Sequence, residues 1–189
     1  MEQQKDRSAF METKRSSELI YDGKVIRVFR DEVTLPDGKV AFRELNRHVG
    51  AVCVIPVTAE GDVLCVRQYR YAVGELLLEI PAGKLDSRDE DPRAAALREL
   101  REETGAICGK LTYLGRYLGS PAILDETIHM YLAEELTFTH TDLDEDEFLE
   151  PVRLPLSTLC DMVLRGEIPD GKTQAAALRA AKLLEGRFA

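Results

Sequence analysis

Tryptophan is absent from this 189-residue chain, and Tyr and Phe together supply only 6% of it. Stacking on a flat ligand must therefore fall to a tyrosine or a phenylalanine. No apolar run approaches the roughly 20 residues that span a bilayer. The N-terminal stretch MEQQKDRSAFMETKRSSE lacks the apolar core of a signal peptide. A basic excess is missing as well: the net charge is −9, which disfavours nonspecific binding to nucleic acid or to an anionic membrane. A bound metal and a few arginines can still reverse the potential locally, so a small anionic substrate stays open. Cysteine is sparse. Cys53, Cys65, Cys108 and Cys160 are widely spaced, and the first two lie in apolar strand-like runs, which suits buried reduced thiols better than a metal cluster. There is no internal repeat and no low-complexity segment. These absences point to a cytoplasmic protein with no membrane or nucleic-acid partner.

What is present suits one sizeable core: 44% hydrophobic and 31% charged residues are ordinary for a globular chain. Residues 1–17 are polar, and the chain is expected to be loose at its start. From Glu18 to about Val49 runs a β-rich section, in which KVIRVFRDEVTL and KVAFREL flank Pro36-Asp37-Gly38, a hairpin turn sequence. From Gly50 onward, GAVCVIPVT and DVLCVRQYR read as strands separated by Ala59-Glu60-Gly61, and ELLLEIPAG is a third apolar run. LTYLGRYLGS and ETIHMYLAEEL read as strands around a loop at Pro121. Leu156–Arg165 and Thr173–Leu184 read as amphipathic helices. Strands broken by helices without regular alternation predict an α/β fold, a mixed sheet between helices. The expected division is an N-terminal β section over 1–49 and a main domain over 50–189.

The segment GKLDSRDEDPRAAALRELREETGA, Gly83 to Ala106, carries the chemistry. It predicts a helix with Asp91 as N-cap, Pro92 at the first helical position and Gly105 just past the end. Glu99 shares a face with both Glu102 and Glu103, because residues three and four apart are neighbours on a helix. Three carboxylates so close repel unless a cation sits among them, and hard oxygen ligands suit Mg²⁺. Taken as a charge cluster alone, the same residues describe a solvated helix face with interleaved arginines.

The order of residues resembles the Nudix box of the Nudix hydrolases. Gly83, Glu90, Arg98, Glu99, Leu100, Glu102, Glu103, Gly105 and Ala106 match by type. Six residues instead of five separate Gly83 from Glu90; the extra one lies in the Ser87-Arg88-Asp89 loop, ahead of the helix and outside the register of the glutamates. VRQYR, LEIPAGKLD, GSP with Pro121 sixteen residues after Gly105, and the acidic DEDEF segment are similar to the ADP-ribose pyrophosphatase branch. The resemblance implies a Nudix α/β/α sandwich with an added N-terminal antiparallel sheet. It also implies a homodimer in which residues 1–49 serve as dimerisation and substrate element; by itself, that hairpin would be an ordinary edge structure.

The same resemblance implies Mg²⁺-dependent hydrolysis of ADP-ribose to AMP and ribose 5-phosphate, with Mn²⁺ as an alternative metal. Metal ligands would be Glu99, Glu102, Glu103 and the backbone carbonyl of Ala82, with Arg98 orienting the glutamates from behind. Glu147, backed by Phe148 and Leu149 as an apolar anchor, is the first candidate for base or additional ligand, and Glu145 the second. Without the family, Asp142–Phe148 is an acidic solvated loop. Arg43 and Arg70 would meet the phosphates, since guanidinium forks suit them. Ser120 and Glu126 would lie near the substrate, Glu126 also being a third candidate base. Here the chain has Ser-Pro-Ala-Ile where the family often has Ser-Pro-Gly-Phe. Tyr21, Phe29 and Phe42 are the candidates for stacking on adenine. GDP-mannose or another nucleotide-sugar is the alternative substrate. A nonhydrolytic ADP-ribose-sensing module is the alternative class; such regulators carry an added DNA-binding domain or a degraded box, and neither is visible here.

Overall fold

A strand that is apolar at every position must be covered on both faces, and Ala51–Pro56 is such a strand: AVCVIP is buried throughout. In the computed structural model, which describes residues 7–143 and 148–187, this strand lies inside a mixed sheet. In chain order the strands are β1 Thr13–Asp22, β2 Arg27–Thr34, β3 Val40–Asn46, β4 Ala51–Pro56, β5 Asp62–Arg70, β6 Glu75–Glu79 and β7 Ala82–Lys84. Helix α1 Pro92–Thr104 follows, then β8 Ala106–Tyr117, β9 Ile128–Phe138, β10 Leu149–Pro155, α2 Leu156–Leu164 and α3 Gly171–Leu183. A short 3₁₀ turn, Arg7–Phe10, precedes β1.

The chain divides into two compact units. One runs to His48 and also takes in Ser120–Glu126; the other holds Val49–Gly119 and the chain from Thr127 onward. The first unit is an antiparallel sheet in the order β1-β2-β3. The Pro36-Asp37-Gly38 hairpin is there, closed by Gly38 N–H to Leu35 O at 2.9 Å and Leu35 N–H to Lys39 O at 2.8 Å. The polar stretch to residue 17 already holds the first part of β1, which starts at Thr13 and pairs with β2 along its length. Pairing supplies the hydrogen bonds that composition could not reveal. The 120–126 segment joins this unit through Asn46 N–H to Ile123 O at 2.8 Å and His48 N–H to Asp125 Oδ1 at 2.6 Å.

In the second unit the central sheet has the order β7-β4-β9-β8, with β4 parallel to β9 and the other pairs antiparallel. A smaller antiparallel sheet runs β10-β5-β6. Alternation along β4 splits the core in two. Val52 and Val54 pack with Tyr131 and with Ala95, Ala96 and Leu100 of α1. Cys53 and Ile55 pack with Met130 and Leu132 and with α2 and α3 through Leu159, Ala176, Ala177 and Ala180. Helices on both faces of a mixed sheet make the α/β/α sandwich. The four cysteines are free thiols, and burial pushes Cys53 and Cys65 up to about 12. Among the described residues no helix is long and apolar enough to cross a membrane.

Candidate functional site

Helix α1 is punctuated as its sequence predicts. Asp91 caps it by accepting from Arg93 N–H at 3.0 Å, Pro92 opens it, and Gly105 ends it at φ 68° with its N–H on Arg101 O. The left-handed turn and the closeness of the Thr139 carbonyl leave no room for a side chain at Gly105. The buried stripe of the helix is Ala95, Ala96, Glu99, Leu100 and Glu103. Apolar at its start, this inward stripe carries two carboxylates at its end. Glu99 is 8% exposed and Glu103 4%, and burying such groups is costly unless cations or donors meet them.

Those donors come from the strand opposite. β7 begins directly after Pro81, whose carbonyl accepts from Val54 N–H at 2.9 Å. Ala82 N–H donates to Glu103 Oε2 at 3.3 Å, and the Cα of Gly83 lies against the Glu99 carboxylate, where any Cβ would overlap it. Arg98 binds the glutamates from the other side: Nη1 reaches Glu99 Oε1 at 2.6 Å and Glu102 Oε2 at 3.2 Å. Its Nη2 donates to Lys84 O at 3.3 Å and lies 3.6 Å from Glu90. Burial works against the charge of Arg98, but Glu99 and Glu102 outweigh it and hold its pKa above the ordinary value. The extra residue of the 83–90 loop is absorbed locally. Glu90 accepts from Asp86 N–H at 2.5 Å, and Glu90 N–H returns to Ser87 O at 3.3 Å.

Among the described residues, no three His, Cys, Asp or Glu side chains are gathered tightly enough to hold an ion. Instead, arginine pairing draws Glu102 and Glu99 toward Arg98. The donors nonetheless suit a hard divalent cation: two buried carboxylates one helical turn apart, a third beside them, and backbone at a turn where a Cβ would be excluded. Glu145 and Glu147 lie outside the described residues. The acidic segment starts beside the site, since Asp142 N–H donates to Glu102 O at 3.0 Å and Arg101 lies 3.4 Å from the Asp142 carboxylate. Phe148 does not anchor this segment as expected: it is 84% exposed. It immediately precedes β10, an edge strand of the β10-β5-β6 sheet.

The other candidates fall in different places. Arg70 ends β5 and grips Glu79 in two bonds, at 2.7 and 2.8 Å. The remaining ones belong to the first unit. Arg43, on β3, is held by Glu12 in two bonds and donates to Phe42 O at 2.9 Å. Ser120 O accepts from Leu124 N–H at 2.9 Å, closing the turn, and Glu126 lies 3.2 Å from His48 Nδ1. Of the aromatic candidates, Phe29 lies under the guanidinium of Arg47 at 4.6 Å and Phe42 under Arg30 at 5.7 Å, while Tyr21 is 59% exposed. Sequence reasoning passed over Glu79 and Lys172, although a lone glutamate closing the apolar run ELLLE was a usable signal.

Known proteins resemble this chain along most of its length. The NUDIX domain pattern matches residues 47–179, and the nucleoside diphosphate sugar hydrolase N-terminal domain matches residues 12–46. The chain is 42% identical over 172 residues to the ADP-ribose pyrophosphatase of Bacillus subtilis (strain 168), covering 90% of this chain and 92% of that one. It is 41% identical over 169 residues to the methanol dehydrogenase activator of Bacillus methanolicus, covering 88% and 91%. The crystal structure of an ADP compounds hydrolase shares the fold with a TM-score of 0.82 at 23% identity, covering 93% and 95%. The box on α1, the sandwich around it and these matches place the chain in the NUDIX family.

Proposed function

We propose that this protein hydrolyses the pyrophosphate bond of ADP-ribose, giving AMP and ribose 5-phosphate, with Mg²⁺ as the metal and Mn²⁺ as its substitute. The observation that carries the reading is the meeting of Glu99 and Glu103 with the Ala82–Gly83 backbone. Glu99, Glu102, Glu103 and the Ala82 carbonyl would hold the ion. When bound, it offsets the charge of the pyrophosphate and makes water a better nucleophile at neutral pH. Arg98 ties Glu99 to Glu102 and sets their orientation. Glu147 takes the proton of the attacking water, with Glu145 as its alternate, while the bridging P–O bond breaks. Arg70 and Arg43 direct guanidinium donors at the phosphates, and Ser120 and Glu126 contribute on the substrate side.

The N-terminal match supports a nucleoside diphosphate sugar as the substrate class, and the name of the Bacillus subtilis relative supports ADP-ribose within it. The protein is a cytoplasmic homodimer in this reading. β1 is exposed along its whole length, and Leu19, Ile20, Tyr21 and Phe42 are exposed apolar side chains of its sheet, a feature that suits an interaction site. The test is kcat/KM for ADP-ribose, GDP-mannose, 8-oxo-dGTP and diadenosine polyphosphates under identical Mg²⁺. Preference for a triphosphate sinks the assignment, and preference for GDP-mannose moves it to that sugar. Binding of ADP-ribose without turnover of any compound makes the protein a sensor.

A further inference from the structure

Next to the turn that carries Ala82 and Gly83 lies a chain of charges of which only Arg70 has a part in the reaction above. Glu79 ends β6 with only 2% of its side chain exposed. Arg70 grips one side of it, and Lys172 Nζ donates to the same carboxylate. Lys172 also reaches Asp170 Oδ1 at 3.0 Å. Asp170 caps α3, accepting from Thr173 N–H at 3.0 Å and from the Thr173 hydroxyl at 2.5 Å. That hydroxyl oxygen accepts Ile80 N–H at 3.0 Å, two residues before Ala82. Gly171 lets the helix start pack directly under the Tyr117 hydroxyl, where a Cβ would collide.

Lys172 offends two local rules. It is the second residue of α3, where the helix dipole disfavours a cation. Its side chain is 12% exposed, and an apolar side chain of similar volume would be buried there at less cost. Burial works against its charge, but Asp170 and Glu79 hold its pKa above the ordinary value. Burial likewise opposes charge on Glu79, and Arg70 and Lys172 overcome it. These pairings offset the cost of burying Lys172, and a residue that breaks local rules in this way points to a functional demand.

The pairing constrains Arg70. Nε and Nη2 are spent on Glu79, while Nη1 has no hydrogen-bond partner among the described residues. The side chain is 40% exposed and lies close enough to Glu103 to feel its charge. A guanidinium clamped along one edge offers its remaining N–H groups in a fixed direction.

We propose that Lys172, acting through Glu79, is a positioning residue: by sharing the Glu79 carboxylate it holds Arg70 by one edge, so that Nη1 meets a phosphate of a nucleoside diphosphate substrate. The inference rests on the proposed role of Arg70 at that substrate; neither Lys172 nor Glu79 touches it.

The experiment is a double-mutant cycle in the full-length protein, with Arg70→Gln, Lys172→Met and the combined variant. KM and kcat are measured separately, and folding is monitored by thermal melting. Lys172→Met is expected to raise KM roughly 10- to 100-fold, the range for a charged hydrogen bond, with a much smaller change in kcat. The double variant should be no worse than Arg70→Gln, because both changes remove one interaction. Glu79→Gln, which keeps the shape of the side chain, enters the same cycle if Lys172→Met melts below assay temperature. Additive effects, an unchanged KM in the Lys172 and Glu79 variants, or an unchanged KM in Arg70→Gln each overturn the proposal. If the wild-type protein ignores ADP-ribose but cleaves another nucleotide-sugar, only the substrate reading fails, and the cycle is read on that compound.

Discussion

Gly83 and Glu99 are packed so that the glycine has no room for a Cβ: one built there would overlap the Glu99 carboxylate. Glycine is required at this point for contact, since the obstacle is the far end of a side chain and not the backbone. Gly83→Ala is therefore expected to leave the fold standing, because Glu99 can swing aside. The displaced carboxylate would weaken metal binding by roughly 10- to 100-fold, the usual loss when the surroundings of a ligand are disturbed. Half-saturation by Mg²⁺ and the melting temperature, measured together, check it. A lowered melting temperature with unchanged Mg²⁺ half-saturation would assign Gly83 to the fold alone.

Glu79 gives a prediction in pH. Its folded pKa lies below the ordinary 4.5, because Arg70 and Lys172 outweigh the opposing effect of burial. A carboxylate with a depressed folded pKa contributes stability that is fully present above its unfolded value and is lost as pH falls through the folded one. Glu79→Gln should thus be less stable than wild type near pH 7, by about 3 kcal/mol for breaking a buried pair. The gap should close as pH drops through and below 4.5. Urea unfolding at near-neutral and acid pH measures both ends.

Helix α1 could be read from sequence because its signals are local: Asp91, Pro92 and Gly105 act on neighbouring backbone, and each sits where expected. β10 could not be. Pro151 and Pro155 argue against a strand, and only its place at the edge of the β10-β5-β6 sheet tolerates them. The glutamates of the box were visible as a cluster, but their burial depends on β7, a strand of three residues with almost no signal of its own. Arg43 and Arg70 were visible as cations. Their partners Glu12 and Glu79 were not: Glu12 lies ahead of β1 and meets Arg43 across 31 residues of chain, and Glu79 stands opposite Val66 while Arg70 stands opposite Glu75. Lys172 meets Glu79 across 93 residues of chain, a juxtaposition that no spacing rule anticipates.

Assembly is testable at the exposed sheet. If the apolar side chains of β1 and β3 meet a second copy, light scattering gives a dimer. Removing residues 1–49 should then abolish both dimerisation and activity. Because the truncated chain has lost part of its buried surface, its circular dichroism must match the remaining domain before its kinetics are read. A fully active monomer would contradict the dimeric reading.

Metal ligand and base separate by how each variant responds to Mg²⁺. Glu103→Gln keeps volume but removes one of the two buried carboxylates of α1, so Mg²⁺ affinity and kcat should fall together. Glu147→Gln leaves Glu99, Glu102 and Glu103 in place. If Glu147 accepts the proton of the attacking water, kcat should drop roughly 10²–10⁴-fold, the range of general acid–base catalysis, and added Mg²⁺ should not restore it. Recovery at high Mg²⁺ would make Glu147 a ligand instead. Glu145→Gln is the comparison, since it shares the acidic segment that begins at the C-terminal end of α1. Near-wild-type rates in both variants would remove this segment from the chemistry. Glu126, which lies 3.2 Å from His48, would then be the next carboxylate to change.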